Sequence, residues 1–519
     1  MLALRTLSEW PRNLQYMTEI PRRSLLKSAD MITRLQIDGF KNLRNVDIRF
    51  DAFTCVAGSN DVGKSNLFDA IRFLNALADE KKLDEAARTV RDENDKGADA
   101  KAIFFQTPSG NLGPVTFVVE MVIPSQASDD LGQTAKGKTT FVRYELEICH
   151  RETLEERQQY GEIQILRESL TPMSISKAYS ALGFDHSREW RKSAIYGRRG
   201  SPFISTAEKV GETIIKVHQD GEGPHGSGRA YERPARKLPR TVLSSADADN
   251  PTMMCAKTEM RSWELLQLEP SAMRKADSRS QEPRMDSNGA HLPATLHRLA
   301  RAGAKDENAA TNLYQEIGNR LAELLGDIRH IEVEENERTD TLTVFATGKD
   351  GAKIPARSLS DGTLRFLALL VKELDVQSRG VICLEEPENG IHPQRIPAML
   401  RLLRDIAADT RAPEGDDNPL RQVIFNTHSP WIVQQLEPDA LLIAESAPSL
   451  CEGKQVASVR FACLRDSWRA RLPERPAITS LAKLLAYLRP SPASVSGDSA
   501  RKPRLIDSDE TKQLLLKLA

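Results

Sequence analysis

The chain has 519 residues, enough for more than one domain. Its 72 Lys and Arg against 73 Asp and Glu leave a formal charge of −1, which excludes a globally basic nucleic-acid binder but not a local basic patch. With 40% hydrophobic and 28% charged residues it can bury a core, and no apolar run approaches the roughly 18 residues that cross a bilayer.

The N-terminal stretch MLALRTLSEWPRNLQYM carries charge where a secretory leader would be apolar, which argues against export. Six cysteines (55, 149, 255, 383, 451 and 463) form no CxxC pair. That usage fits a reducing cytoplasm rather than a disulfide framework or a zinc site. Residues 1–30 show no clean apolar period, and a second start-like stretch opens at Met31. They read either as an appendage or as an over-extended start.

From Ile32 the pattern alternates. Ile32–Asp38 and Val46–Phe50 read as strands around the polar turn Lys41–Asn45, and Phe53–Ala57 is a short apolar strand ending at a glycine. A helix is predicted from Lys64, with Leu67, Ala70, Ile71, Leu74 and Leu77 on one face. Residues 78–102 are charged and weakly periodic. Strands follow at Val115–Ile123, Thr140–Ile148 and Glu162–Ser169. The stretch 176–300 is rich in Arg, Ser, Gly and Pro, with loop signals such as Gly221–Gly228, and reads as an insertion of helices and loops. A long helix is predicted at 306–326, then strands at Ile328–Glu335 and Thr341–Thr347. A helix (Leu364–Leu374), a strand (Val381–Leu384), a helix around 394–408 and a strand (Val423–Asn426) complete the pattern. A Ser/Pro/Gly-rich linker lies near 490–503.

Four segments carry chemistry. Gly58-Ser59-Asn60-Asp61-Val62-Gly63-Lys64-Ser65 matches GxxxxGK[ST] and sits between a predicted strand and a predicted helix. Its glycines let backbone N–H groups turn towards phosphates, at a helix N-terminus that favours anions. Lys64 is placed to reach the β- and γ-phosphates of ATP, and the Ser65 hydroxyl to ligate Mg²⁺. Asn60 and Asn66 complete the candidate nucleotide contacts. The second segment, Val381–Pro387, delivers Glu385 and Glu386 at the carboxyl end of a strand, where ligands of α/β sheets bind. Side chains alternate along a strand, so the two acids have separate duties. Glu385 is the Mg²⁺ candidate and Glu386 the base for the attacking water. The third, Ser358–Thr363, places Ser360 and Gly362 at the start of an apolar-faced helix, a second anion site. One nucleotide seldom needs two cradles, so the economical reading gives this one to the ATP held by a second copy. The fourth, Val423–Pro430, sets His428 just past a buried strand, within reach of a γ-phosphate or the attacking water.

In this order the four segments resemble the ABC-type ATPase superfamily, in the branch of RecF, the SMC proteins and the OLD-type ATPases. ITRLQIDGFKNLRN…GSNDVGKSN, LSDGT and LEEPENGIHP followed by NTHSP carry the likeness, over residues 31–125 and 325–445 plus Asp286–Pro293. The resemblance implies an α/β fold, an ABC-type P-loop ATPase head of mixed sheet and flanking helices with an inserted helical and basic subdomain. It implies that Ser360 and Gly362 act in trans, that Asn389–His392 crosses between subunits and that His428 is a switch histidine. Gln106, in FFQTPSG, is its candidate Mg²⁺- and water-sensing glutamine. Asp361 stands where transporters have glycine, and Glu385 where they have aspartate. Lys64 and Ser360 are 296 residues apart. That separation excludes a transporter subunit, and the Gly/Pro-rich stretch 221–293 excludes a long coiled coil. The likeness is to compact ATPases of bacterial anti-phage systems, such as the OLD and Septu types.

The expected organisation is an appendage (1–30), a lobe with the phosphate loop (31–175), the insert (176–325), a lobe with the other three motifs (326–450) and a C-terminal partner or dimer segment (451–519). Residues 187–240 carry 12 Lys or Arg against 6 acids, with Trp190, Tyr196 and Tyr231 interspersed. This stretch reads either as a nucleic-acid surface or as a solvated face. OLD proteins add a metal-dependent nuclease. Glu452, Asp507 and Asp509 are its candidates by type, but no strand presents the last two and only nine residues follow Glu510. An intrinsic nuclease is therefore not expected, and a separate effector protein is. Two function classes follow. One is an ATPase whose nucleotide-dependent homodimer, or higher even oligomer, gates a DNA-linked action or an effector in phage defence or DNA maintenance. The other is a slow nucleotide-gated scaffold that holds a toxin or nuclease inactive.

Overall fold

The computed structural model describes residues 31–60, 62–90, 99–197, 200–218, 220, 231–302, 309–326, 328–415, 417–480 and 483–484. The N-terminal appendage, the loop Gly221–Gly228, the linker near 490–503, Asp507 and Asp509 lie outside the described residues. The chain divides into a compact unit ending at Thr479 and a C-terminal unit, Ser480–Ala519. No helix among the described residues is long and apolar enough to cross a membrane.

Among the described residues, six strands form a central sheet. Their order is Glu264–Leu266, Gly380–Glu385, Arg421–Thr427, Phe53–Ala57, Leu441–Cys451 and Lys454–Cys463. The first five run parallel and the last returns antiparallel. Phe53–Ala57 and Arg421–Thr427 are buried at every position, as the inner strands of a sheet covered on both faces must be. The register pairs Thr427 with Ala57 and Asn426 with Glu385, so the three chemistry-bearing strands end level with one another.

A second, antiparallel sheet has eight strands among the described residues. It runs Tyr231–Pro234, Glu212–Val217, Ile204–Lys209, Ile163–Pro172, Phe141–His150, Val115–Val122, Met31–Asp38, Val46–Arg49. Gln422 of the central sheet joins the two sheets, bonding both the N–H and the carbonyl of Ile32 (3.0 and 2.8 Å). The helix Lys64–Ala78 is packed in the same apolar cluster as Val56, Cys383 and Ile424 of the central sheet. The face expected from the sequence is buried, and so are Phe68, Phe73 and Ala76. Of these, Phe73 meets the antiparallel sheet at Phe117. The Phe73 ring lies 5.7 Å from Phe117 and 6.0 Å from Phe40. A helix lying between two sheets needs more than one apolar face.

The stretch 176–325 differs from the helical insertion expected. It adds three strands to the antiparallel sheet and one, Glu264–Leu266, to the central sheet. Lys454–Cys463 likewise belongs to the central sheet, so the compact unit continues well past residue 450.

Two buried ionisable groups have purely structural partners. Arg421 is 3% exposed, and its guanidinium donates to the carbonyls of Glu373, Asp375 and Ser378 at 2.6–2.9 Å. It thereby satisfies the open C-terminal end of the helix Asp361–Leu374. Glu168 is fully buried and accepts hydrogen bonds from the Val242 and Leu243 N–H groups (both 2.8 Å) and the Tyr144 hydroxyl (3.2 Å). Burial outweighs these donors and pushes its carboxyl up to about 7.

Candidate functional site

Gly58 follows the strand Phe53–Ala57, and its N–H donates to the Thr427 carbonyl of the neighbouring strand at 3.2 Å. A Cβ at Gly58 would stand 2.7 Å from the Ala444 carbonyl oxygen, so only glycine fits there. Gly63 takes φ +105°, and a Cβ there would meet Asn42 Nδ2 at 2.4 Å. Asn42 fastens the loop from below. Its Nδ2 donates to the Val62 carbonyl (3.1 Å) and its Oδ1 accepts from Asn66 Nδ2 (2.7 Å). The helix from Lys64 has no side-chain cap and no acid in its first turn, which suits an anion at its N-terminus. Lys64 is buried, and its ammonium donates to the carbonyls of Gly58 (2.7 Å) and Ser59 (2.8 Å). The loop therefore folds around a fixed positive charge. Asn60 and Ser65 are exposed beside it.

The two acids meet different partners, Glu385 as the last residue of its strand and Glu386 in the turn that follows. Glu385 ends its strand 3.4 Å from Gln267 Nε2 and 3.5 Å from Asn426 Nδ2. Glu386 takes a left-handed φ of +44°, uncommon for a residue with a side chain and a mark of a functional turn. Its N–H donates to Asn426 Oδ1 at 2.9 Å, which holds that turn. Its carboxylate meets Asn389 Nδ2 at 2.9 Å and His428 Nδ1 at 2.6 Å. Partial burial raises the carboxyl's pKa, but the Asn389 and His428 hydrogen bonds and the charge of Lys64 together hold it below the usual carboxylate range. It is therefore ionised at neutral pH.

Ser360 caps the helix Asp361–Leu374. Its hydroxyl accepts from the Thr363 N–H (3.2 Å) and pairs with the Thr363 hydroxyl (2.8 Å). Arg274 grips this corner, donating to the Leu359 carbonyl (3.0 Å) and Asp361 Oδ1 (2.5 Å). A Cβ at Gly362 would lie 3.6 Å from the Gly390 carbonyl oxygen, so the 389–392 loop backs this corner. Ser360 is exposed, and among the described residues its side chain bonds only Thr363.

Among the described residues, no side-chain hydrogen bond ties Gln106 to these groups. That residue is exposed on a turn closed by a bridge to Leu112. The glutamine beside Glu385 is Gln267, at the end of the strand Glu264–Leu266. The sequence carried one faint signal for it, the apolar residues Trp263, Leu265 and Leu266 just before a glutamine. Asn42 and Asn426 were also missed, because their partners are distant in sequence.

Four of the nine described Lys and Arg of the basic stretch form ion pairs. Lys209 and Lys216 pair with Glu232 (2.6 and 3.3 Å), Arg240 pairs with Glu80 (3.1 Å) and Arg236 pairs with Glu156. Trp190 is fully buried, its ring 5.7 Å from Phe184, and the Tyr196 hydroxyl donates to the Ser125 carbonyl. Of the three aromatics only Tyr231 is exposed. Trp190 thus serves the core and is closed to a stacking base. Glu452 sits at the hairpin turn after Cys451, where its carboxylate accepts from the N–H and hydroxyl of Ser109 (3.0 and 2.7 Å).

A glycine-lined phosphate loop, paired acids and a histidine at the level ends of adjacent parallel strands, with a separate capped helix corner, define an ABC-type P-loop ATPase head. The chain belongs to the family described as "AAA domain, putative AbiEii toxin, Type IV TA system", whose model matches residues 53–433. By sequence it matches none of the curated proteins. Among solved structures it is similar to an SMC head bound to the C-winged helix domain of ScpA. The two share 12% identity over 84% of this chain and 98% of that chain, with a TM-score of 0.41. It is also similar to the Pyrococcus furiosus Smc head with an extended coiled coil, bound to the C-terminal domain of ScpA (12%, 84% and 96%, TM-score 0.40). A third is the SMC head domain from Thermotoga maritima (11%, 82% and 97%, TM-score 0.30).

Proposed function

We propose that this ATPase domain hydrolyses ATP between two copies of the chain and that the nucleotide state gates a partner protein. The observation that carries the reading is the ionised Glu386 carboxylate held 2.6 Å from His428 at the strand ends beside the Lys64 loop. Lys64 and the loop amides bind the phosphates, and Glu386 takes the proton of the water that attacks the γ-phosphorus. With Nδ1 on Glu386, His428 Nε2 is the ring nitrogen left to serve the γ-phosphate or the attacking water. Ser65 and Glu385 would hold a Mg²⁺ ion through their side-chain oxygens. That ion would offset the charge on the phosphates. Gln267 takes the sensing role expected of Gln106. Ser360 and Gly362, with an exposed helix N-terminus, complete the pocket of the second copy.

A protein partner is favoured over nucleic acid because Trp190 is buried and four of the insert's cations, Lys209, Lys216, Arg236 and Arg240, are paired with acids. The setting is phage defence or DNA maintenance in the cytoplasm. Mixing Lys64→Ala with Ser360→Arg tests the shared pocket. Each variant alone is inactive, and a 1:1 mixture recovers about a quarter of wild-type turnover through heterodimers with one intact site. No recovery from folded, assembling variants rejects it. Turnover that rises steeply with DNA and falls with salt would favour the DNA-linked alternative.

A further inference from the structure

The loop that follows Glu386 buries a second acid. Glu388 is 9% exposed, and its Oε1 accepts a hydrogen bond from the Thr427 hydroxyl at 2.5 Å. Its Oε2 is buried with no partner among the described residues. Thr427 is fully buried, the last residue of its strand and the neighbour of His428. A hydroxyl has one proton to give. Since Thr427 gives it to Glu388, its lone pairs are turned to the Ser429 N–H at 2.9 Å. The Thr427 carbonyl accepts from Gly58 N–H, and the Glu388 carbonyl accepts from Ile391 N–H (2.9 Å). Thr427 and Glu388 therefore tie together the phosphate loop, the loop bearing Glu386 and Asn389, and the turn bearing His428.

Burial pushes the Glu388 carboxyl up, and the nearby Glu386 charge acts in the same direction. A group kept only for packing would not leave a buried oxygen unpaired, because an apolar side chain fills such a place at lower cost. Glu388 does not touch the reacting atoms.

We propose that Glu388 is a positioning residue for hydrolysis: through Thr427 it fixes the 427–429 turn so that His428 Nδ1 meets Glu386. The inference rests on the ATPase reading, and the feature that matters is an acceptor at Oε1. Glutamine keeps that acceptor and alanine removes it.

In the full chain, Glu388→Ala lowers kcat about tenfold, no more than removing His428 itself, with KM for ATP within about threefold, and Glu388→Gln stays within about threefold of wild type. Thr427→Val reproduces the alanine loss, Thr427→Ser does not, and the Glu388→Ala/Thr427→Val double variant is no worse than either single one. Hydrogen exchange without nucleotide gives an independent readout. The Ser429 amide exchanges faster in Glu388→Ala and at the wild-type rate in Glu388→Gln. If Glu388→Ala does not fold, the Thr427 pair carries the same comparison. The inference is overturned by wild-type kcat in Glu388→Ala, by a glutamine variant as damaged as alanine, or by losses that multiply in the double variant. If the wild type itself turns over no ATP, the ATPase reading fails separately. Exchange at Ser429 then decides the clasp: acceleration in Glu388→Ala upholds it, and no change rejects it.

Discussion

Glu386, at the carboxyl edge of the central sheet, and Glu168, inside the antiparallel sheet, end in opposite states. Glu168 has three donors, two of them backbone amides, yet its carboxyl is pushed up to about 7. Glu386 has two side-chain donors and lies at the protein surface, and its carboxyl is held low. Depth of burial, more than the number of hydrogen bonds, decides which acid is charged. The sheet interior uses its acid as a fixed brace, whereas the sheet edge keeps one ready to take a proton.

The sharpest way to break this contrast is Glu386→Gln. It removes the base and keeps the shape, so turnover falls by about 10²–10⁴-fold while ATP still binds. ATP-bound dimer should accumulate on size-exclusion chromatography, and unchanged turnover would remove Glu386 from its role. Arg421 tests the structural side. Arg421→Ala removes the guanidinium from three carbonyls, of which, among the described residues, only that of Asp375 keeps a second donor, the Ser378 N–H, and costs about 3–5 kcal/mol, read as a lower denaturant midpoint.

Glu168→Gln separates the two acids by pH. The folded protein holds the Glu168 proton more tightly than the unfolded chain, so this group's contribution is full below about 4.5 and is lost as pH rises through about 7. Relative to Glu168→Gln, the wild type should lose about 3 kcal/mol of unfolding free energy across that window. A flat difference would show that the brace is not titrating. The smallest effect is at His428. Removing a donor destabilises ionised Glu386 and raises its pKa, so His428→Ala moves the acid limb of kcat to higher pH, with a loss of about tenfold near neutrality. An unmoved limb would uncouple the pair.

The motifs at 58–65, 358–363, 381–387 and 423–430 were legible because each is contiguous and sits at a strand or helix end. Gln267 was not, since the strand that delivers it has three residues, too few for periodicity to register. The pair Ile204–Lys209 and Glu212–Val217 was hidden for another reason. Its turn is Val210-Gly211, both at positive φ, and a β-branched valine is a poor advertisement for that geometry. Trp190 misled because aromatics among cations suit a stacking surface, but the helix Arg188–Ala194 turns it inward against Phe184.

The strand Phe53–Ala57 lies in the middle of the central sheet, paired on one side with Arg421–Thr427 and on the other with Leu441–Cys451. During synthesis it leaves the ribosome some 370 residues before its first partner, and at about 5–20 residues per second that is a wait of roughly 20–75 s. Until then a sticky apolar ribbon with bare edges must be shielded by whatever the nascent chain or its chaperones provide. Slow translation, or a stop codon anywhere before the last strands, should therefore yield aggregates rather than a smaller working protein.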